Sequence, residues 1–294
     1  LNISFNKNRV KNIGSGDRIP ITPTAIMQGH FLDVFYVREG YPIGAMFGYK
    51  TDGLYQCRDF SDFYDANGTF ISDKAQQKAI YDNIKGNNGQ FTLREGVVSR
   101  GNAVEPGYLK LKKQGEGDVI TSDDKVYLGS NEPKFFGGFT NRFSYKNVEL
   151  SIFLQFSYGN KLFNTNHAML RGYNNYNIEQ QYYDNMWTID RQNAPLHIYS
   201  DNIGRQTATE LQAEDASYLK IKEISFSYRL PKKAMRHLGV KGAKVFVSGI
   251  NLFTFTKYSW YDPEFSSTNP LTGGLDKYSY PTARTFNAGF SIDL

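Results

Sequence analysis

Four histidines (His30, His167, His197, His237) and one cysteine, Cys57, are the side chains in this 294-residue chain best suited to metal binding or nucleophilic attack. They are scattered. No two histidines stand at the helical or loop spacing of a ligand pair, so no metal site is expected. Cys57 has no second cysteine with which to form a disulfide or a thiolate site. There is no G-x-S-x-G elbow and no Walker loop, and short runs such as GSG are turn material rather than phosphate cradles. Cleavage of a polysaccharide would need two carboxylates converging on one bond. Glu149 and Asp293 both lie on polar strand faces, but no spacing brings a pair together. The chain carries no catalytic constellation and is not expected to be an enzyme.

What the sequence offers instead is aromatic surface. It holds 22 Phe, 21 Tyr and 2 Trp, 15% of all residues, at a mean hydropathy of −0.52. Two segments concentrate these rings among amides and carboxylates. RGYNNYNIEQQYYDNMWTIDRQ contains Tyr173, Tyr176, Tyr182, Tyr183 and Trp187, and YSWYDPEF contains Tyr258, Trp260 and Tyr261. Aromatic faces beside amides suit sugars or peptides, which makes Tyr173, Tyr176, Trp187, Tyr258, Trp260 and Tyr261 the substrate-binding candidates. The same rings also serve to pack their own loops or to anchor at a membrane interface, and the sequence leaves those roles open.

The elements that would carry these loops are strands. From Val148 to Tyr158 the even positions are Val148, Leu150, Ile152, Leu154, Phe156 and Tyr158, while Glu149, Ser151, Gln155 and Ser157 fall on the opposite face. At the other end of the chain Phe286, Ala288, Phe290, Ile292 and Leu294 alternate with Thr285, Asn287, Gly289, Ser291 and Asp293. One face suits lipid and the other water, which is the signature of a transmembrane barrel strand. Strands are also predicted at 134–145, 217–229 and 244–256, the first and last with apolar residues on both faces. Segments 1–7, 31–38 and 44–55 bring the number to about eight. No stretch approaches the roughly 18 apolar residues of a spanning helix. The formal charge of +5 is spread over loops and turns without a basic block, so no nucleic-acid partner is expected.

Connection lengths supply sidedness, because barrels pair short turns on one side with long loops on the other. Lys146 and Asn147 make a tight turn, with Asn147 the residue suited to a positive φ. The links at 159–216 and 257–282 are long, and that at 230–243 is shorter. The long loops are therefore expected outside the cell and the C-terminus in the periplasm. The opening LNISFNKNRV has no charged leader, apolar core or cleavage site, so the native start is expected far upstream.

With these strands in place, the chain resembles the SusC/RagA family of TonB-dependent outer-membrane transporters over nearly its whole length. The resemblance is carried in order by EGYPIGAMFGYKTDGLYQ, by DDKVYLGSNEPKFFGGFTNRFSYKNVELSIFLQFSYGNKLFN, by EDASYLKIKEISFSYRLPKKA, by VFVSGINLFTFTKYSWYDPE and by YPTARTF. It implies an all-β fold, with residues 1–294 forming the C-terminal part of a roughly 22-stranded antiparallel barrel whose lumen holds a plug. The plug and the N-terminal barrel strands would lie outside this chain. It further implies an integral protein of the Gram-negative outer membrane. Such a protein would import oligosaccharides or peptides beneath a SusD-like surface lipoprotein, with energy delivered through TonB.

The ending N-A-G-F-S-I-D-L is similar to the terminal signal read by the barrel-assembly machinery, with Asn287, Gly289, Ile292 and Leu294 as its elements and Leu294 in place of the usual aromatic. Family members often carry an EF-hand-like acidic loop before the segment equivalent to KVYLG. Here KKQGEGDVITSDDK puts Lys113, Gly115 and Gly117 where ligand oxygens belong, leaving Glu116, Asp118, Asp123 and Asp124. Calcium is therefore not expected, nor any other cofactor. The alternative from another class is a soluble secreted β-rich glycan-binding module, whose apolar strand faces would close a sandwich core.

Overall fold

A computed structural model describes residues 1–21, 34–167, 177–201, 206–231, 233, 235, 239–264 and 269–293. Its principal element is an antiparallel sheet of six strands: β1 (Asn2–Ser4), β2 (Phe135–Tyr145), β3 (Val148–Tyr158), β4 (Tyr218–Arg229), β5 (Gly242–Thr256) and β6 (Thr285–Asp293), laid side by side in that order. β2 to β6 are 9 to 15 residues long, enough to cross a hydrocarbon core as tilted strands. No described helix is long and apolar enough to cross a membrane.

The pairing register gives the sheet two chemically distinct faces. Across β2, β3 and β4 one row reads Phe143, Leu150, Phe226, and the next reads Asn141, Ile152, Ile224. The first row continues outward through Val247 and Ala288, and the second through Gly249 and Phe286. This face is bare: Phe286 is 76% and Phe290 74% exposed. The opposite face carries Arg142, Ser151 and Ser225 in one row and Gln155 and Lys220 in another. The sandwich alternative would require a second sheet over the apolar face, and among the described residues none covers it. A bare apolar band opposite a polar face is the cross-section of a barrel wall.

The register also settles the two strands whose facing was open. In β2, Phe135, Phe139 and Phe143 align with Tyr158, Leu154 and Leu150 on the apolar face, whereas Phe136 lies opposite Ser157 on the polar one. In β5, Val245 and Val247 are outward, and Phe246 is inward, opposite Gly289. Its ring covers Gly289 so closely that a Cβ there would stand 2.7 Å from Phe246 Cζ. The glycine therefore has a packing reason to be where it is, an aromatic ring filling the space across the strand.

The tight turn at 146–147 has the expected length, but Lys146 rather than Asn147 takes the positive φ, +53°. The link from β4 to β5 leaves from the same end of the sheet, and three longer links, 5–134, 159–217 and 257–284, leave from the other. The first of these corrects the sequence expectation. Segments 31–38 and 44–55 are not wall strands. Their described parts form short strands, Phe35–Val37, Ala45–Gly48 and Thr51–Leu54, in two separate small sheets. The physical reason is burial: Phe35, Ala45, Met46 and Phe47 are enclosed, and a wall strand must leave one face to lipid. Of the eight segments, six make the wall.

The long links fold into water-type cores of their own. One core joins Val34, Phe35, Met46, Leu128, Phe163, Ala208, Ala213 and Leu275. A second joins Tyr55, Cys57, Phe60, Phe63, Tyr81, Val104, Trp187 and Ile189, with Tyr81 supplied by helix α1 (Lys74–Gly86), whose N-cap Asp73 accepts from Gln76 N. Ile152→Arg, near the middle of the apolar face, should cost about 2–4 kcal/mol of folding stability in lipid, whereas Ser151→Arg on the other face should cost far less. Denaturant titration of the full-length protein refolded into vesicles would show the difference, and equal costs would contradict the assignment of faces.

Candidate functional site

The site is assembled where two long links are stitched together at the end of the wall. The strand Lys161–Asn164 pairs antiparallel with Ala213–Asp215 and parallel with Leu275–Asp276, so both links share one small sheet. Side chains reinforce the seam. Asn164 Nδ2 donates to Glu214 Oε1 at 2.9 Å, Ser259 Oγ donates to the same oxygen at 2.8 Å, and Ser259 N donates to Glu214 Oε2 at 2.8 Å. His167 bridges the seam, with Nδ1 3.1 Å from Glu179 Oε1 and Nε2 3.0 Å from Ser259 Oγ. Its ring meets the edge of Trp260 at 5.6 Å between centroids. Beside this seam lies a cleft of about 380 Å³, with Asn164, His167, Gln181, Gln212, Glu214 and Ser259 among its walls. A cleft whose polar lining is three amides, two imidazoles, one hydroxyl and one carboxylate can hydrogen-bond a polar, flexible molecule.

The six aromatic candidates fare differently. Trp187 is 0% exposed, lies 6.0 Å from the Tyr81 ring, and sits so tightly on Gly107 that a Cβ there would meet it at 2.5 Å. As it stands it packs the 159–217 link against the 5–134 link and offers no ring face to a ligand. Tyr258 is buried against Leu162 and Ala216, and its hydroxyl donates to Asp276 Oδ2. Burial, then that hydrogen bond and the charge of Asp276, push the phenol well above its ordinary range. Trp260 is half-buried, and Tyr261 is 65% exposed with its ring 4.7 Å from that of Trp260. Tyr173 and Tyr176 lie outside the described residues. The structure thus leaves Trp260 and Tyr261 as the described candidates with accessible ring surface, and it adds Asn164, Glu214 and Ser259, which the sequence did not single out, together with His167, which the sequence offered only as one of four scattered histidines. These four are separated by up to 95 residues, so no local spacing could have joined them.

Of the terminal-signal residues, Asn287 lies opposite Ser248 on the inner face, Gly289 lies under Phe246, and Ile292 faces outward. Leu294 lies outside the described residues.

The acidic loop before Val126 is built around one buried carboxylate. Asp124 accepts from Gln114 N at 2.9 Å and Thr121 N at 2.7 Å, and Lys113 Nζ stands 2.9 Å from its Oδ2. Glu116, Asp118 and Asp123 are exposed and turned to solvent. The ammonium of Lys113 occupies the place at Asp124 that a cation would take, and among the described residues no group of three or more His, Cys, Asp or Glu could hold a metal. Burial raises the Asp124 pKa, but the two N–H donors and Lys113 outweigh it and bring the value down to about 2.

No family model matches this chain. Among curated proteins it is 29% identical, over 99% of its length, to TonB-dependent receptor P3 of Formosa agariphila. It is 25% identical over 80% of its length to TonB-dependent receptor SusC of Bacteroides thetaiotaomicron. It spans 26% and 22% of those two proteins, about a quarter of their length. Among solved structures, that of the RagAB peptide transporter superposes on 99% of the chain with a TM-score of 0.66 at 18% identity, the chain covering 26% of the matched protein.

Because the folded-state pKa of Asp124 lies below its ordinary value, its stabilising contribution is present above about pH 4 and is lost as pH falls through about 2. Hydrogen exchange across 112–125 should therefore stay slow from pH 7 down to about pH 4, with rates corrected for their intrinsic pH dependence. Asp124→Asn should speed it at neutral pH by one to two orders of magnitude, the equivalent of about 1–3 kcal/mol.

Proposed function

Because the chain belongs to the SusC/RagA-like family of TonB-dependent transporters, we propose that its six strands are wall, and its folded links mouth, of an energised importer in a Gram-negative outer membrane. The observation that carries this reading is the pairing of a lipid-type strand face with three long links that all leave one end of the sheet. Hydrocarbon offers backbone groups no hydrogen bonds, so a sheet with open edges cannot stand alone in a bilayer. The outer edges of β1 and β6 need further strands, which longer relatives have the length to supply. The plug is likewise assigned to the rest of the polypeptide.

The importer acts on its cargo by admission rather than chemistry. Oligosaccharides or peptides are the cargo class that suits amide- and hydroxyl-lined walls beside the Trp260–Tyr261 pair. The structural relative is described as a peptide transporter, and that favours peptides without deciding between the two. A SusD-like lipoprotein serves as lid and TonB as the energy source, the latter reached through parts of the protein outside this chain. The long links lie outside the cell and the C-terminus lies in the periplasm.

Two measurements test this. An epitope inserted at the exposed Asn67–Gly68 turn of the full-length protein should be reached by antibody on intact cells, while one at Asn147 should be reached only after permeabilisation. The reverse result would invert the orientation. Cells dependent on the full-length transporter should take up fluorescent oligosaccharides or peptides only when TonB is present, and uptake that survives loss of TonB would remove energised import.

A further inference from the structure

Lys220 sits on the inner face of β4, opposite Gln155 of β3 and Thr254 of β5, and is 1% exposed. An ammonium so enclosed is tolerated only with full compensation. It receives that from one turn of the 257–284 link. Asp262 Oδ1 lies 2.6 Å from Lys220 Nζ and Glu264 Oε2 lies 2.8 Å from it, while Lys222 Nζ reaches the same Glu264 oxygen at 2.9 Å. A bulge at Lys222 interrupts the register between Ile221 and Glu223 against both neighbouring strands, so that Glu223 faces Phe153 on the inner side as well. The remaining oxygens are also engaged: Thr282 donates to Asp262 Oδ2, and Gln155 Nε2 donates to Glu264 Oε1 at 2.9 Å.

The turn also carries a hydrogen bond of its own. Glu264 N donates to Asp262 Oδ1 at 2.9 Å across Pro263, which aims both carboxylates at the wall. Burial alone would raise the pKa of each. The hydrogen bonds from Lys220 to both, and from Lys222 to Glu264, bring them below the ordinary carboxylate range, so both are charged at neutral pH. Immediately before the turn stand Trp260 and Tyr261, the accessible aromatic pair. Tyr258 and Trp260 pack toward Leu162 and Ala216, and it is the two carboxylates that fasten the turn to Lys220 and Lys222 on the wall.

We infer that Lys220 and Lys222 are positioning residues, a charged dock on the inner wall that clamps the Asp262-Pro263-Glu264 turn and so fixes the Trp260–Tyr261 pair where the 257–284 link meets the lumen. An apolar contact of the same size would hold as firmly, whereas a charged one admits a single register and depends on every partner being present. Gln155 ties the dock to the inner surface beyond it, since its Nε2 also donates to the Tyr218 hydroxyl at 3.1 Å and both residues line a groove along the inner face with Phe136 and Phe153. The inference rests on the barrel reading only for calling this face the lumen.

The test needs no cargo. Tyr261→Cys in the full-length transporter, labelled with a nitroxide in lipid nanodiscs, reports the mobility of the pair by electron paramagnetic resonance. The buried Cys57 is spared by labelling the folded protein. Lys220→Met, and separately Asp262→Asn with Glu264→Gln, should raise the ratio of mobile to immobile signal about tenfold, while Lys220→Arg keeps the immobile spectrum. Heat-modifiable migration on gels confirms a folded barrel in each variant. Should Lys220→Met fail to fold, the double carboxylate variant, altered only in the link, decides alone. Unchanged mobility in the charge-removed variants, or a Lys220→Arg spectrum as mobile as that of Lys220→Met, would overturn the dock. TonB-dependent uptake could still stand or fall independently.

Discussion

The rest of the structure depends on one constraint, that backbone N–H and C=O groups facing hydrocarbon have no partner but each other. Long antiparallel pairing from Phe135 to Tyr158, and onward through β4, β5 and β6, meets that constraint strand by strand. Once the register is fixed, a period of two decides every side chain. A slip of one residue would carry Leu150, Ile152 and Phe226 to the polar face and Glu149, Ser151 and Ser227 to the lipid. The bulge at Lys222 occurs where the inner face must serve a loop, and it changes the facing of Glu223 without disturbing the apolar row on either side of it.

At the loop end the solvent changes and so does the logic. The three links are long enough to bury apolar residues in water-type cores, and they spend their aromatics there. Trp187, Tyr81, Phe60, Phe63 and the partly buried Phe91 make a cluster with rings in stacked, edge or tilted contact. The two larger cores use residues distant in sequence, Val34 with Leu275 and Tyr55 with Trp187. The links therefore fold as one assembly rather than as separate hairpin tips, and the shared sheet of Lys161–Asn164, Ala213–Asp215 and Leu275–Asp276 is the joint.

How much of this was legible follows from how local the signal is. Strands at Val148–Tyr158 and Thr285–Asp293 were visible because lipid and water on opposite faces write strict alternation into the residues themselves. Segments 31–38 and 44–55 were misplaced because FYV and AMFG are enclosed on both faces, and an apolar run looks the same whether it serves a loop core or a wall. The facing of Phe246 was not readable, since its reason is Gly289 on another strand. Trp187 and Tyr261 stand alike in the sequence as binding candidates, and only the packing of Gly107 and Tyr81 around the first separates them. The seam of Asn164, His167, Glu214 and Ser259 is wholly non-local.

Asp124 and Asp262 show the same solution reached in two unrelated loops. Each buries a carboxylate, and each neutralises it with a lysine of the chain, Lys113 or Lys220, together with backbone N–H donors. A tethered ammonium is present whenever the chain is folded. The two differ in what the pairing joins. Lys113 and Asp124 are eleven residues apart and close a local loop, so their contact stiffens one segment. Lys220 and Asp262 are forty-two apart and belong to the wall and to a link, so their contact transmits position between two parts of the molecule that otherwise answer to different solvents.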